Sequence, residues 1–134
     1  MKRIGVLTSG GDAPGMNAAV RAVVRTALTN NMSVVGFKRG YNGLLMRSLR
    51  PEDDYIEMNA RSVSGIIHKG GTALMTARCK EFHKLAVQKE AIRNLKAIGV
   101  EGLVCIGGNG TFAGAQALSQ LGMPCIGVPG TIDN

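Results

Sequence analysis

Residues 3–12 are Arg3-Ile4-Gly5-Val6-Leu7-Thr8-Ser9-Gly10-Gly11-Asp12, an apolar strand that runs directly into a pair of glycines. The chain then continues through residues 14–17 into a helix rich in alanine and valine. A second stretch, residues 102–118, repeats this arrangement around Gly107 and Gly108. Glycines at a strand-to-helix turn let the backbone approach a ligand, and the helix behind favours negative charge. The two turns therefore predict a ligand with several phosphates.

Composition and charge narrow the class of partner. Of the 134 residues, 45% are hydrophobic and 19% charged, which is typical of a soluble α/β domain with one core. No apolar run approaches the ~20 residues of a membrane-spanning helix. The 16 basic and 9 acidic residues give a net charge of +7, which favours anionic partners. Nucleic acid is the rival interpretation, but the basic residues are scattered and aromatic residues are few. We expect neither a nucleic acid nor a membrane as partner.

The three cysteines show no metal-binding or disulfide spacing. Cys105 and Cys125 fall inside predicted strands, where a free thiol behaves as a small apolar side chain, so both are expected in the core. The N-terminus has no signal-peptide pattern. Together these features predict a cytoplasmic protein.

Hydrophobic periodicity predicts most of the elements. It predicts strands over 3–8, 34–37, 73–75, 102–107 and 124–128, and helices over 16–30, 82–98 and from 112 onward. A turn is expected at 40–43, no regular element over 44–58, and a short helix capped by 62–64 that continues through 66–67. The buried face of the long helix is predicted to be Leu85, Ala91, Ile92, Leu95 and Ile98.

Alternating strands and helices predict an α/β fold with a mostly parallel sheet and helices on both faces, a Rossmann-like three-layer arrangement. Ligands of such sheets bind at the carboxyl ends of the strands, so the glycine turns should all lie along one edge. The last strand has no covering helix after it, so part of one sheet face should be bare there. We therefore expect the chain to be the front part of a longer protein.

Each motif is weak by itself. No glycine is followed by Lys and then Ser or Thr, as a Walker A loop requires. Gly108, Gly110 and Gly114 have the spacing GxGxxxG, one residue longer than the dinucleotide-binding pattern. Tight packing of a strand on a helix explains one isolated glycine turn as well as phosphate binding does.

In combination and in order, the segments 10–17, 70–72, 76–79, 107–111 and 129–134 closely resemble the N-terminal part of bacterial ATP-dependent 6-phosphofructokinases, over essentially the whole chain. The resemblance implies the first domain of a two-domain glycolytic kinase, with residues 1–134 carrying the ATP site and the sugar-phosphate half of the cleft beyond them. It implies transfer of the terminal phosphoryl group of ATP to the 1-hydroxyl of fructose 6-phosphate. ATP and Mg²⁺ are the implied cofactors, and a homotetramer the implied assembly.

The resemblance also assigns individual positions, since each matches a family motif. The implied nucleotide contacts are Gly11, Arg78, Cys79, Gly108, Asn109, Gly110 and Thr111. The planar fork of Arg78 suits phosphate oxygens; a surface arginine that caps the next helix is the alternative. Asn109 also occupies the position of the family's metal ligand.

Thr131 matches the substrate-contacting threonine, and Asp133 matches a substrate contact that also acts as the general base. From its local sequence alone, Asp133 is a turn residue. Arg21 and Arg25 lie one helical turn apart and match arginines that bind an allosteric nucleotide at a subunit interface. A solvated basic face is the alternative for this pair.

Glycine at positions 110 and 130 favours ATP over pyrophosphate, because pyrophosphate-dependent relatives typically carry aspartate and lysine there. Asn109 departs from the usual aspartate, and Mg²⁺ prefers carboxylate oxygens. Thr111 replaces the usual serine and keeps the hydroxyl, whereas Gly65 and Ala60 depart from the effector-site pattern and leave allosteric control open. A non-catalytic or regulatory nucleotide-binding homologue is therefore the alternative function. The 134-residue chain alone is expected to be inactive.

Overall fold

A single five-stranded sheet organises the protein, for which a computed structural model describes residues 2–10, 15–64 and 73–130. The strand order is β3-β2-β1-β4-β5. The strands are β1 (Arg3–Thr8), β2 (Ser33–Phe37), β3 (Tyr55–Met58), β4 (Gly102–Gly107) and β5 (Cys125–Pro129). All neighbouring pairs are parallel except β2 and β3. The predicted, mostly parallel sheet is therefore confirmed.

Within the described residues, four α-helices cover the sheet from both sides. They are α1 (Met16–Thr29), α2 (Ala60–Val63), α3 (Leu85–Ala97) and α4 (Asn109–Gln120), with 3₁₀ helices at Gly40–Leu45 and Pro51–Asp53. On one face Val6 belongs to the same buried cluster as Val20 of α1. On the other face Leu7 belongs to a cluster with Leu95 of α3 and Leu118 of α4. Consecutive side chains of β1 thus point to opposite layers, as a strand buried on both faces requires.

The region 44–58, for which no element was predicted, contains the antiparallel edge strand β3. Its register places Met58 opposite Val34 and Tyr55 opposite Phe37. The preceding loop closes on the buried Asp54 carboxylate, which accepts hydrogen bonds from Arg39 Nη2 at 2.6 Å and from the Ser48 backbone N–H at 3.0 Å. This strand depends on tertiary partners, since four residues of mixed polarity carry no periodic signal of their own.

Two predictions around residues 59–75 were wrong. Helix α2 begins after Asn59 rather than at Ser62, because Asn59 Oδ1 accepts from the Ser62 backbone N–H at 2.9 Å in a capping box. No strand forms at 73–75: Met75 has φ +63°, a left-handed conformation that ends any extended run. The remainder of the predicted short helix, residues 66–67, lies outside the described residues.

The long helix begins three residues later than predicted, at Leu85. Leu85 itself is 54% exposed instead of buried, whereas Phe82 is buried in the turn before the helix. Ala91, Ile92 and Leu95 are buried as expected. An apolar residue in the first turn can face solvent when the preceding turn already fills the core, which explains the shifted start.

The outer edge of the sheet is thinly covered. Cys105 is buried in β4, but Cys125 at the start of β5 is only half-buried, so the core assignment is correct for one of the two strand cysteines. Ile126, which pairs with Val104, is 65% exposed. The predicted bare face beside the last strand is therefore confirmed.

Candidate functional site

The glycine turns meet along one edge of the sheet, as predicted. The Ser9 backbone N–H, just after β1, donates to the Ile106 carbonyl at 2.9 Å, and the Gly130 N–H, just after β5, donates to the Gly107 carbonyl at 3.0 Å. Gly10 has φ +90°, which a side chain would strain. The carboxyl ends of β1, β4 and β5 are thus locked to one another, with α1 and α4 starting beside them.

Two helices, α1 and α4, start at this edge. Neither Gly15 before α1 nor Gly108 before α4 provides a side-chain cap, and neither first turn contains an acidic residue. The first N–H groups of an α-helix have no partner within the helix, and the helix dipole adds positive potential there. The edge therefore favours an anion, as the two glycine turns predicted.

Thr111 lies in the first turn of α4 between the two glycine turns. It is 3% exposed, and its Oγ1 is buried without a hydrogen-bond partner among the described residues. A Cβ placed on Gly107 would collide with this hydroxyl and with the Ser9 carbonyl. A buried hydroxyl without a partner is costly. The Thr111 hydroxyl is therefore a hydrogen-bond donor without a described partner at the point where the two glycine turns meet.

A cavity of about 630 Å³ opens beside the start of α4. One wall is the small-residue face of α4, and the opposite wall is the irregular segment before α3 together with its first turn. The lining residues are Tyr41, Arg78, Cys79, Lys80, Phe82, His83, Gln88, Gly110, Ala113, Gly114 and Ala117. A groove with a flat floor of Gly and Ala and a basic rim suits a planar group that carries phosphates.

Tyr41 connects the two walls. Its ring stacks on Phe82 with centroids 4.2 Å apart, and its hydroxyl donates to the Thr111 carbonyl at 2.5 Å. A Cβ on Gly114 would lie 2.7 Å from the Tyr41 ring, so glycine permits this close approach. Burial, followed by the nearby Cys105 thiol, raises the pKa of Tyr41 far above its ordinary value. The phenol therefore remains a neutral hydrogen-bond donor.

Side chains from the sheet and the first 3₁₀ helix hold the segment that carries Arg78. Thr8 Oγ1 donates to the Met75 carbonyl at 3.1 Å, and Asn42 Nδ2 donates to the Ala77 carbonyl at 3.3 Å. The guanidinium of Arg78 has no ion pair among the described residues and lines the cavity. It does not cap α3, whose preceding residue Lys84 gives no side-chain cap either. Arg78 therefore remains available to a ligand.

The site residues predicted from the sequence fall into three groups. Arg78, Cys79 and Gly110 line the cavity, and Gly108, Asn109 and Thr111 form the adjoining start of α4. Arg21 and Arg25 lie on α1 and line no part of the cavity; Arg21 is half-buried and Arg25 exposed. Gly11, Thr131 and Asp133 lie outside the described residues, as do residues 70–72.

Sequence reasoning missed the aromatic and amide part of the cavity. Tyr41, Phe82, His83 and Gln88 were not recognised as site residues, although all four line the cavity. The glycines on either side of Tyr41, at positions 40 and 43, were the available signal, and they were interpreted only as a turn.

Burial and, to a smaller extent, the nearby Glu81 carboxylate raise the pKa of the Cys79 thiol, so Cys79 favours a neutral contact.

The described residues do not by themselves fit a resident Mg²⁺. They contain no group of three or more His, Cys, Asp or Glu side chains that could hold a metal ion. At the start of α4 the oxygen donors are the Asn109 amide and the Thr111 hydroxyl, and neither is charged, whereas Mg²⁺ is usually held by carboxylates and by substrate phosphates. With the described residues alone, a metal at this edge would thus depend on oxygens from the ligand. No helix among the described residues is long and apolar enough to span a membrane.

Fold and site define an α/β domain whose cavity and glycine turns lie at the carboxyl ends of its parallel strands. The family model for Phosphofructokinase matches residues 3–134, and the chain belongs to this family. It is 58% identical over 134 residues to an ATP-dependent 6-phosphofructokinase from Halalkalibacterium halodurans and 57% identical to one from Bacillus pumilus. In each case the match covers 100% of this chain and 40% of the relative.

Solved structures agree with the family assignment. Pichia pastoris phosphofructokinase in the T-state superposes with a TM-score of 0.86 at 35% identity, covering 98% of this chain and 16% of that chain. A pyrophosphate-dependent phosphofructokinase from Marinobacter aquaeolei superposes with a TM-score of 0.77 at 24% identity, covering 95% of this chain and 33% of that one. The second likeness shows the shared fold alone. The predicted resemblance and fold class are both confirmed.

Proposed function

We propose that this chain supplies the ATP site of an ATP-dependent 6-phosphofructokinase, which transfers the terminal phosphoryl group of ATP to the 1-hydroxyl of fructose 6-phosphate and forms fructose 1,6-bisphosphate. The observation that carries the proposal is the cavity between the free guanidinium of Arg78 and the uncapped start of α4. Phosphoryl transfer is mainly a matter of positioning and charge stabilisation, so cations and backbone N–H groups are the parts that such a site needs.

The geometry supports a division of labour within this site. The adenine ring would lie against the flat face of Gly110, Ala113 and Gly114, and the phosphates would extend past Arg78 toward the start of α4. The Thr111 hydroxyl, which has no described partner, would meet a ligand oxygen there. In this arrangement the N–H groups of the first helical turn bind the charge that develops on the transferred group.

The choice of ATP over pyrophosphate rests on two glycines. No heavy atom lies within 4 Å of a Cβ placed on Gly110, so the space beside α4 is open to a bulky nucleotide. A Cβ on Gly130 would come within 3.2 Å of Met16, so a longer side chain there would have to turn toward the edge where the ligand is proposed to bind. Glycine at both positions supports a donor larger than pyrophosphate.

The remaining functional parts are proposals by family resemblance. Asp133 would accept the proton of the sugar hydroxyl as general base, Thr131 would contact the substrate, and Gly11 would lie against the phosphates. Arg21 and Arg25 would bind an allosteric nucleotide in a homotetramer. The sugar-phosphate half of the cleft would lie beyond residue 134, since the chain spans 40% of the length of its relatives. The whole protein would act in glycolysis in the cytoplasm, with Mg²⁺ carried by the triphosphate.

A coupled assay tests the donor and the reaction. A protein of the relatives' full length that contains this sequence should form fructose 1,6-bisphosphate with ATP and not with pyrophosphate. Turnover with pyrophosphate alone would overturn the donor assignment. The 134-residue chain should bind ATP without turnover, because half of the proposed cleft is missing. Phosphorylation of fructose 6-phosphate by the isolated chain would contradict that division.

The second candidate is a nucleotide-binding homologue without catalytic activity. It is favoured by one observation, the uncharged Asn109 at the position where a carboxylate would hold the metal. Full-length proteins with Asn109 and with Asn109→Asp separate the two. A large rate gain with aspartate would favour a non-catalytic natural protein, whereas equal rates would show that the amide suffices.

A further inference from the structure

A charged cluster outside the cavity joins three parts of the chain. Arg47 follows the first 3₁₀ helix, and its Nη1 forms an ion pair with Glu81 in the turn before α3. Its Nε and Nη2 donate to Glu90 Oε2 and Oε1 at 3.1 and 2.9 Å. One guanidinium therefore bridges two carboxylates, one in the turn and one in α3.

The cluster flanks the cavity without lining it. Phe82, the residue after Glu81, lines the cavity, and so does Gln88, two residues before Glu90. Arg78, three residues before Glu81, lies in the same wall, and its guanidinium has no ion pair with any described residue. Arg47 thus links the two pieces of chain that make this wall.

The segment 75–84 has no regular secondary structure, so side-chain contacts determine where it lies. The described contacts on its first half come from Thr8 and Asn42. On its second half they are the Tyr41–Phe82 stack, the 2.9 Å hydrogen bond from Gln88 Nε2 to the Phe82 carbonyl, and the Arg47 cluster. Among these described contacts, those of the Arg47 cluster are the ones that join oppositely charged groups.

We propose that Arg47 is a positioning residue for nucleotide binding, because its paired contacts to Glu81 and Glu90 fix the Arg78 wall of the cavity against α3. The proposal rests on the proposed function, since ATP is the ligand whose binding it assists. Arg47 itself does not touch the nucleotide.

Arginine is suited to this task by its shape. Its planar fork of donors serves two carboxylates in a fixed geometry, whereas the lysine ammonium is a point charge on a flexible stem. Isolated exposed ion pairs contribute little because ordering two long side chains offsets the attraction. Here one ordered guanidinium serves both pairs. Its hydrogen bond to Glu90 also holds the pKa of that carboxyl below its ordinary value, so the pair stays charged near neutral pH.

Equilibrium binding of ATP to the 134-residue chain tests the proposal. We expect Arg47→Gln to weaken ATP binding roughly fivefold, and Arg47→Lys to restore part of the loss. The matched control is Arg50→Gln, which removes the same charge from the same loop. Arg50 pairs with Glu52, two residues away, at 2.9 Å. Any general loss of attraction for an anion should therefore appear equally in the control.

Two further measurements test whether the loss of ATP affinity comes from the ion pair between Arg47 and Glu81. In the Arg47→Gln background, Glu81→Gln should cause no further loss of ATP affinity, since the pair is already broken. The affinity ratio between the parent chain and Arg47→Gln should shrink at about 0.5 M KCl, where exposed pairs are screened. An additive loss from Glu81→Gln, or a ratio unchanged by salt, would contradict the proposal.

The outcomes separate this proposal from the function on which it rests. If the parent chain does not bind ATP, the proposed nucleotide site is wrong and the role of Arg47 fails with it. If the parent binds ATP and Arg47→Gln binds it equally well, or no worse than Arg50→Gln, only the role of Arg47 is overturned.

Discussion

The hydroxyl of Tyr41 donates a 2.5 Å hydrogen bond to the carbonyl of Thr111, a residue 70 positions later in the chain. This bond fixes the start of α4 to the first 3₁₀ helix, and the Tyr41 ring stacks on Phe82 from the opposite wall of the cavity. One side chain therefore sets the distance between the two walls of the proposed nucleotide site.

Removing this hydroxyl should destabilise the fold while the aromatic ring keeps its place in the cavity wall. Tyr41→Phe keeps the aromatic stack but loses the hydrogen bond, so we expect the free energy of unfolding to fall by about 1 kcal/mol. Urea unfolding measures the change. Tyr55→Phe is the matched control, since Tyr55 is half-buried and its hydroxyl has no hydrogen bond among the described residues. Equal effects of the two substitutions would contradict this account.

Stability should also fall in alkaline solution. Burial raises the pKa of Tyr41 in the folded state far above the unfolded value, which for tyrosine is about 10. Above pH ~10 the unfolded chain releases this proton and the folded chain does not, so the free energy of unfolding decreases as pH rises. The decrease should be smaller in Tyr41→Phe, as urea unfolding between about pH 8 and pH 11 would show. Identical pH profiles would refute the assignment.

Alanine substitutions of the two neighbouring glycines at the end of β4 should have different effects, one on stability and the other on ATP binding. A Cβ at Gly107 would collide with the Ser9 carbonyl and the Thr111 side chain, so Gly107→Ala should cost about 3 kcal/mol of stability. Nothing lies within 4 Å of a Cβ at Gly108, so Gly108→Ala should cost no more than about 1 kcal/mol. It should instead weaken ATP binding, since the methyl group enters the proposed phosphate turn. Thermal unfolding and ATP titration of both variants test this contrast.

Arg78 should matter for ATP binding and not for folding. It is exposed and has no ion pair among the described residues, so Arg78→Ala should leave the melting temperature nearly unchanged. ATP affinity should fall about tenfold or more, the expected effect of losing a charged hydrogen bond to phosphate. Arg93→Ala, which removes an exposed arginine of α3, is the control for net charge. An equal loss of affinity in the two variants would show that Arg78 makes no specific contact.

Asn109→Asp should couple ATP binding to magnesium. A carboxylate at the start of α4 would repel the phosphates when metal is absent and provide a Mg²⁺ ligand when it is present. We therefore expect weaker binding of free ATP and tighter binding of the Mg²⁺ complex than in the parent chain, as paired titrations with and without a chelator would show. Asn109→Ala keeps the loop uncharged and should show no such reversal.

The strongly periodic and glycine-rich parts of the sequence were sufficient to predict the parallel part of the sheet and the main helices. The strands and helices on either side of the glycines at positions 10 and 108 formed as expected, because local pattern and tertiary packing agree there. Strand β3 could not be predicted, since its formation depends on pairing with β2 and on the buried Asp54 that closes the preceding loop. The start of α3 was misplaced for a similar reason: Phe82 is buried by stacking on Tyr41, a contact that spans 41 residues.

The site was predictable where it consists of backbone and less so where it consists of side chains. The family resemblance implied Gly108 and Arg78 as nucleotide contacts, but the cavity between them requires Tyr41, Phe82 and Gln88, which lie on separate elements. Their convergence depends on how the segment 75–84 folds back on α3, and that segment has no periodicity to detect. Irregular segments positioned by side-chain contacts are therefore the part of this site that sequence patterns do not reveal.

The exposed edge at β5 has a consequence for handling this chain in solution. β5 pairs with β4 on one side, and no described strand lies on its other side. The row of backbone donors and acceptors left there, next to the 65% exposed Ile126, is a template on which another extended chain can assemble. We expect the isolated polypeptide to self-associate along this edge as its concentration rises.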